Sequence, residues 1–179
     1  MTFSAAIVGA GPAGLYAAIL FKRRWPGSEV TVFERNVADA TFGFGVVFSD
    51  QAMAFLARDD PHTAALIESY MESWSDITVH HRGESIAIDG IGFSAIGRLQ
   101  LLQLLQTRAE DLGVALRFGH PIGELDQFAG VDLVVGADGL NSAVRGASPD
   151  AYGAEIRYLN NRFVWYGATR PYPTLSQSF

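Results

Sequence analysis

A short, mainly apolar run at residues 3–8 opens the chain and ends in a glycine-rich stretch from Gly9 to Gly14. A short continuous apolar run bounded by glycine predicts a strand buried on both faces. The pattern from Pro12 to Arg24 predicts a helix. Pro12 stands in its first turn, where the missing N–H is no loss, and Pro26-Gly27 stops it. Residues 30–33 predict a second strand, ending at Glu34-Arg35. Strand, helix and strand in this order make a β-α-β unit with parallel strands.

Residues 36–50 read as one long loop with glycines at 43 and 45, and loops of that length are usually functional. Ser49 or Asp50 caps a short helix reaching Leu56. Asp60-Pro61 starts another, with Ala64, Ile67 and Met71 on one face. Ile77 and Val79 alternate with polar residues, Arg82-Gly83 turns the chain, and Ile86 and Ile88 alternate again, which predicts an antiparallel hairpin. Residues 98–112 predict a helix burying Leu101, Leu102, Leu105 and Ala109, closed by Gly113 in a left-handed cap. Strands are predicted at 114–118 and 131–135, with a turn at His120-Pro121 between them. A short helix follows at 141–145 and a last strand at 156–168. The fold class is α/β: a Rossmann-like parallel sheet with an antiparallel β portion.

Composition narrows the function. The chain has 179 residues, 49% of them hydrophobic and 18% charged, enough to bury a core. It has no cysteine, which excludes a disulfide scaffold, a thiolate metal site and a cysteine nucleophile. Its formal charge of -6 argues against a broad nucleic-acid surface. Thr2 to Phe21 carries no charge, but glycines and a proline interrupt it. Lys22, Arg23 and Arg24 follow it rather than precede it, which fits neither a signal peptide nor a membrane span. A cytoplasmic location is expected. His62, His80, His81 and His120 have no carboxylates at ligand spacing, and His80 and His81 point to opposite sides of a strand, so no metal site is expected. No paired carboxylates or nucleophile elbow mark a catalytic side chain.

Gly9-Ala10-Gly11-Pro12-Ala13-Gly14 is a G-x-G-x-x-G between a strand and a helix. Gly9 permits the tight turn, Gly11 lets backbone approach a pyrophosphate, and Gly14 lets helix and strand pack closely. Glu34 follows Gly14 by 20 positions, at the end of the second strand. Its carboxylate can accept hydrogen bonds from ribose hydroxyls and would repel a 2′-phosphate, which favours NAD or FAD. Arg35 fits a 2′-phosphate, an adenine stack or plain solvent exposure.

The stretch from Gly136-Ala137-Asp138-Gly139 through Ser142 to Arg145 resembles the Asp-Gly fingerprint of the flavin-dependent aromatic hydroxylases. That resemblance implies that Ala137, Asp138 and Gly139 contact FAD and face the nicotinamide cofactor. A helix cap by Asp138 or Asn141 is the alternative, and Arg145 equally suits a structural partner of Asp138. The resemblance also implies that Arg98 reaches the flavin pyrophosphate; a surface arginine is the alternative. The loop from Thr41 to Asp50, together with Glu34-Arg35-Asn36, resembles a narrower branch. It includes salicylyl-CoA 5-hydroxylases, 2-aminobenzoyl-CoA monooxygenase/reductases and the tryptophan hydroxylase of violacein synthesis. In that reading Gly45, Val46 and Val47 pass close to the isoalloxazine ring. Phe42, Phe44 and Phe48 equally fit an ordinary core.

The resemblance implies an FAD-dependent monooxygenase that hydroxylates an aromatic substrate, with an aromatic acyl-CoA as one candidate, using NAD(P)H and O₂. It implies an FAD-binding domain at residues 1–73 and 97–153, and part of a substrate-binding sheet at 74–96 and 154–179. The family's second Gly-Asp motif has no match here, so the chain is expected to be a fragment. Rival readings are a non-hydroxylating FAD oxidoreductase (a halogenase or reductase), a non-catalytic cofactor-binding module, and an NAD-only dehydrogenase.

Overall fold

The computed structural model describes residues 2–162, 164, 166–169, 172 and 174–178. They cluster into two compact units: Met1–Ala40 with Leu102–Arg162, and Thr41–Leu101 with Phe163–Phe179.

The first unit is built on four parallel strands. β1 (Ser4–Val8) lies between β2 (Glu29–Phe33) and β9 (Leu133–Gly136), and β8 (Ala115–Arg117) lies outside β2. Central position explains why β1 is apolar after Ser4: Ala5 to Val8 are all buried. Helix α1 (Pro12–Arg24) connects β1 to β2 and buries Gly14, Leu15, Ala18 and Ile19. Ala6 and Val8 pack with Phe128 and Val144, and Phe33, Ile122, Leu125, Val131 and Val134 surround that cluster. Phe128 comes from a short 3-10 turn, Leu125–Phe128, that the hydrophobic pattern does not announce. Burying a side chain of this size stabilises by about 1.5–3 kcal/mol, so these residues fix the sheet. Helix α4 (Arg98–Asp111) contributes Leu102, Leu105 and Ala109 to the buried residues, and Gly113 follows with φ +81° as the predicted cap.

The second unit holds two three-stranded sheets. In one, β7 (Phe93–Gly97) pairs antiparallel with β3 (Gly45–Ser49) and β4 (Glu72–Trp74). In the other, β5 (Ile77–His81) pairs antiparallel with β6 (Glu84–Ile88) and parallel with β10 (Leu175–Ser178). The predicted hairpin has the expected register, Ile77 opposite Ile88 and Val79 opposite Ile86. Arg82 and Gly83 both have positive φ, +51° and +85°, as a two-residue type I′ turn requires. Helix α2 (Asp50–Asp59) is capped by Ser49 Oγ, which accepts the Ala52 N–H at 3.2 Å. Helix α3 (Pro61–Glu68) is capped by buried Asp60, which accepts the Thr63 N–H at 3.2 Å.

Three expectations are corrected. The loop at 36–50 is not continuous, because β3 forms inside it where β7 supplies a ladder partner. Met71 lies beyond α3, in the turn before β4. The strand expected at 156–168 is absent among the described residues there. Tyr158 and Leu159 are 87% and 79% exposed, and no strand runs beside them to take up their backbone groups. Phe163 and Trp165, part of that expectation, lie outside the described residues.

Candidate functional site

The chain leaves β1 for β2 on one side and returns to β9 on the other. That reversal is a switch point beyond the carboxyl end of β1, the place where open parallel sheets hold ligands. Three strand ends are stitched together there. The Gly9 N–H donates to the Phe33 carbonyl at 2.7 Å, and the Ala137 N–H donates to the Val8 carbonyl at 2.7 Å.

The three glycines answer to different constraints. Gly9 has φ +107°, and a Cβ there would lie 2.6 Å from the Ala137 carbonyl carbon and 2.8 Å from the Asp138 nitrogen. A Cβ on Gly14 would collide with the Gly9 carbonyl oxygen and sit 3.2 Å from the Ala137 methyl. Gly11 is the reverse case: nothing lies within 4 Å of its would-be Cβ, and its backbone is extended, at φ −70° and ψ 173°. The chain's own packing does not need glycine at 11. Gly11 precedes Pro12 and Ala13, which open α1 with no capping side chain and no acid in the first turn. The result is an open, partly positive helix end with room for an anion against the backbone.

Glu34 is held firmly at the end of β2. Its Oε2 accepts the Ala10 N–H at 2.9 Å, and its Oε1 accepts both the Asn36 N–H at 2.9 Å and Asn36 Nδ2 at 2.7 Å. Sequence reasoning gave Asn36 no role of its own. The signal was present in the Asx residue two positions past an acid, a spacing at which short polar side chains fold back on neighbours. Arg35, beside them, is exposed, with no side-chain partner among the described residues.

Asp138 stands beyond β9. Its Oδ2 accepts the Ala143 N–H at 2.6 Å and the Val144 N–H at 3.4 Å, so it caps α5 (Ala143–Ala147). Ser142 Oγ adds a second cap, on the Arg145 N–H at 3.0 Å. Arg145 turns to the Leu140 carbonyl rather than to Asp138. Asp138 Oδ1 is buried without a hydrogen-bond partner, which leaves an acceptor open. Gly139 follows with φ +80°. Along β9 lies an open cleft of about 460 Å³ that no residue pattern announces, lined by Val134, Val135, Asp138, Ser142, Arg145 and Tyr152.

The remaining candidates gather in the second unit. Gly45, Val46 and Val47 pair with Gly97, Ile96 and Ala95 across the β3–β7 ladder. A Cβ on Gly45 would press to 3.1 Å from the Ile96 carbonyl oxygen. The Arg98 N–H donates to the Phe44 carbonyl at 3.0 Å, which fixes the loop to the start of α4, and the guanidinium has no partner among the described residues. Phe42 and Phe44 are 74% and 63% exposed, so they are not core; Phe48 is half-buried. Among the described residues no three histidines or carboxylates stand close enough to hold a metal ion, and no helix is long and apolar enough to cross a membrane.

Residues 7–69 match the family of NAD(P)-binding Rossmann-like domains. A salicyloyl-CoA 5-hydroxylase from a Streptomyces species is 44% identical over 92% of this chain and 32% of its own length. A 3-hydroxy-4-methyl-anthranilyl-[aryl-carrier protein] 5-monooxygenase from Streptosporangium sibiricum is 34% identical over 90% of the chain and 45% of its own. Chromobacterium violaceum supplies a third relative, 28% identical over 97% of the chain and 47% of its own. It is a protodeoxyviolaceinate monooxygenase. The chain thus spans 32% to 47% of the length of these relatives. Among solved structures, 2-methyl-3-hydroxypyridine-5-carboxylic acid oxygenase superposes with a TM-score of 0.71 and 25% identity, over 82% of this chain and 42% of that one. The relatives and the shared fold agree: residues 7–69 form a Rossmann-like NAD(P)-binding segment, and the chain is similar to one part of the aromatic monooxygenases and hydroxylases.

Proposed function

We propose that the chain supplies the FAD-holding part of a monooxygenase that hydroxylates an aromatic ring at the expense of NAD(P)H and O₂. The observation that carries this reading is Gly11: a glycine that the chain's own packing does not require, facing open space at an uncapped helix end. The residues fit a flavin dinucleotide. Gly11, Pro12 and Ala13 would lie against the pyrophosphate, Gly9 and Gly14 hold that turn in shape, and Glu34 would accept a ribose hydroxyl. Asp138 offers a free buried oxygen, with Ala137 and Gly139 shaping the backbone beside it. Arg98 would neutralise phosphate charge, and Gly45, Val46 and Val47 would bring backbone against the flavin ring. Arg35 would lie beside the adenosine. When bound, FAD supplies the redox and oxygen chemistry, which is why no nucleophile is expected of the protein. The protein's part is to bind, orient and exclude water.

In this reading residues 1–73 and 97–153 serve FAD, and 74–96 with 154–179 contribute to the substrate sheet. The substrate class is an aromatic acyl thioester. Two relatives bear names with a salicyloyl-CoA and an anthranilyl group on an aryl-carrier protein, which supports it. A cytoplasmic site of action follows from substrates and reductant of this kind. The test uses the intact protein and compares substrate-stimulated NAD(P)H oxidation with salicylyl-CoA, 2-aminobenzoyl-CoA, the free acids and tryptophan. Coupled product from the thioesters is expected. Turnover of free acids alone would remove the thioester reading, and a colourless protein that oxidises NAD(P)H would remove the flavin.

A further inference from the structure

We infer that Asn36 is the residue that positions the Glu34 carboxylate for nucleotide recognition, an inference that rests on the reading of Glu34 given above. A carboxylate offers about four acceptor positions. Three are taken inside the protein. Asn36 fills Oε1 twice, through its N–H at 2.9 Å and its Nδ2 at 2.7 Å, and the Ala10 N–H takes one position on Oε2 at 2.9 Å. One position on Oε2 remains for a ligand. Glutamate has three side-chain torsions, and without a fixed partner its head group samples several rotamers. The Asn36 amide removes that freedom from the oxygen that does not face the ligand, so the other oxygen keeps its aim.

The backbone around this pair is fastened independently of the Asn36 side chain. The His120 N–H donates to the Glu34 carbonyl at 2.8 Å, and the Gly119 N–H donates to the Asn36 carbonyl at 2.9 Å. Two residues on, Gln106 Nε2 donates to the Ala38 carbonyl at 3.0 Å. Removing the amide therefore loosens the carboxylate and leaves the chain path in place. Pre-organisation of this kind raises affinity by cutting the ordering cost of binding, with no contact between Asn36 and ligand.

The experiment measures binding of ADP, 2′-deoxy-ADP and 3′-deoxy-ADP to the intact protein stripped of bound nucleotide, in wild type, Asn36→Ala and Asn36→Ser, with melting temperatures as controls. The wild type should bind at least one deoxy form about tenfold more weakly than ADP, the size of a lost hydrogen bond to a charged group. In both variants that ratio should shrink to about threefold or less, through loss of ADP affinity, while deoxy-ADP affinity and melting temperature stay within error. A general structural defect would weaken all three nucleotides together and leave the ratio intact, which would overturn the positioning role. A wild-type protein that does not distinguish ADP from either deoxy form would instead overturn the ribose reading of Glu34, and the inference with it.

Discussion

The glycine turn after β1 and the glycine-phenylalanine loop before β3 are both short, glycine-punctuated backbones, yet they are built on opposite terms. In the first, two of three glycines are enforced by the protein itself, since Cβ atoms at 9 and 14 would strike backbone. Its polar groups are tied to the strands on either side. In the second, Gly43 has open space around it and φ +96°, and the neighbouring rings of Phe42 and Phe44 are exposed. The first region is fixed by folding and lends itself to any dinucleotide. The second is shaped by something other than its own packing, and exposed aromatic surface of that kind marks a place of contact.

Substitutions can break this contrast. Gly9→Val should have the largest effect, combining a backbone conformation hostile to side chains with a collision against Ala137. About 3–5 kcal/mol of unfolding free energy should be lost in chemical denaturation. A normal denaturation midpoint would show that the turn is pliable. Gly11→Val should keep the wild-type midpoint and lose roughly 100-fold in FAD affinity, near 2.7 kcal/mol, because its side chain enters only the space a phosphate would take. Retention of yellow flavin on purification would contradict it. Glu34→Ala should weaken FAD by about 1.5–3 kcal/mol in equilibrium titration. Unchanged affinity in a folded variant would remove Glu34 from the site. Phe44→Ser sharpens the comparison from the other side. Stability should shift by less than about 0.5 kcal/mol in thermal melts, since the ring is mostly in solvent, and a large drop would make the loop core after all.

The smallest effect concerns the opposite end of the sheet. Asp132 Oδ2 accepts the Ser4 N–H at 2.7 Å and the Ser4 hydroxyl at 2.9 Å. These bonds, the backbone one foremost, hold its carboxyl below the usual carboxylate value of 3.8. A lowered folded-state value means stability that is present above pH ~4 and lost as pH falls through the folded value. Asp132→Asn should flatten that acid limb slightly in pH-dependent melts, and an unchanged limb would show that the clasp does not couple to stability.

The parallel sheet was legible because its signals are local. Residues 3–8 carry their own apolar run, Pro12 and Gly113 mark helix ends, and the distance from Gly14 to Glu34 is a feature of one supersecondary unit. The β3, β4 and β7 strands were not legible. Each is three to five residues long, and the register of Val46 on Ile96 joins positions far apart in sequence. The strand expected at 156–168 failed the other way, since apolar residues without a neighbouring ladder have no reason to extend. At the site, residue identities were legible and their internal bonds were not. Nothing in the spacing said that Asp138 would cap α5, or that Asn36 would saturate one oxygen of Glu34.

The clasp between Ser4 and Asp132 spans 128 residues of chain, and β1 meets β9 over the same interval. The hairpin at Arg82-Gly83 closes across two residues and forms within microseconds. The β1–β9 ladder must first close a very long loop, and non-local pairings of that sort set the pace of folding. On the ribosome, then, the glycine turn is made early but gains its Ala137 and Asp138 wall only after β9 has emerged, so a nucleotide would find a finished seat late in synthesis. Until then β1 keeps one edge unpaired, and an unpaired edge is open to mispairing.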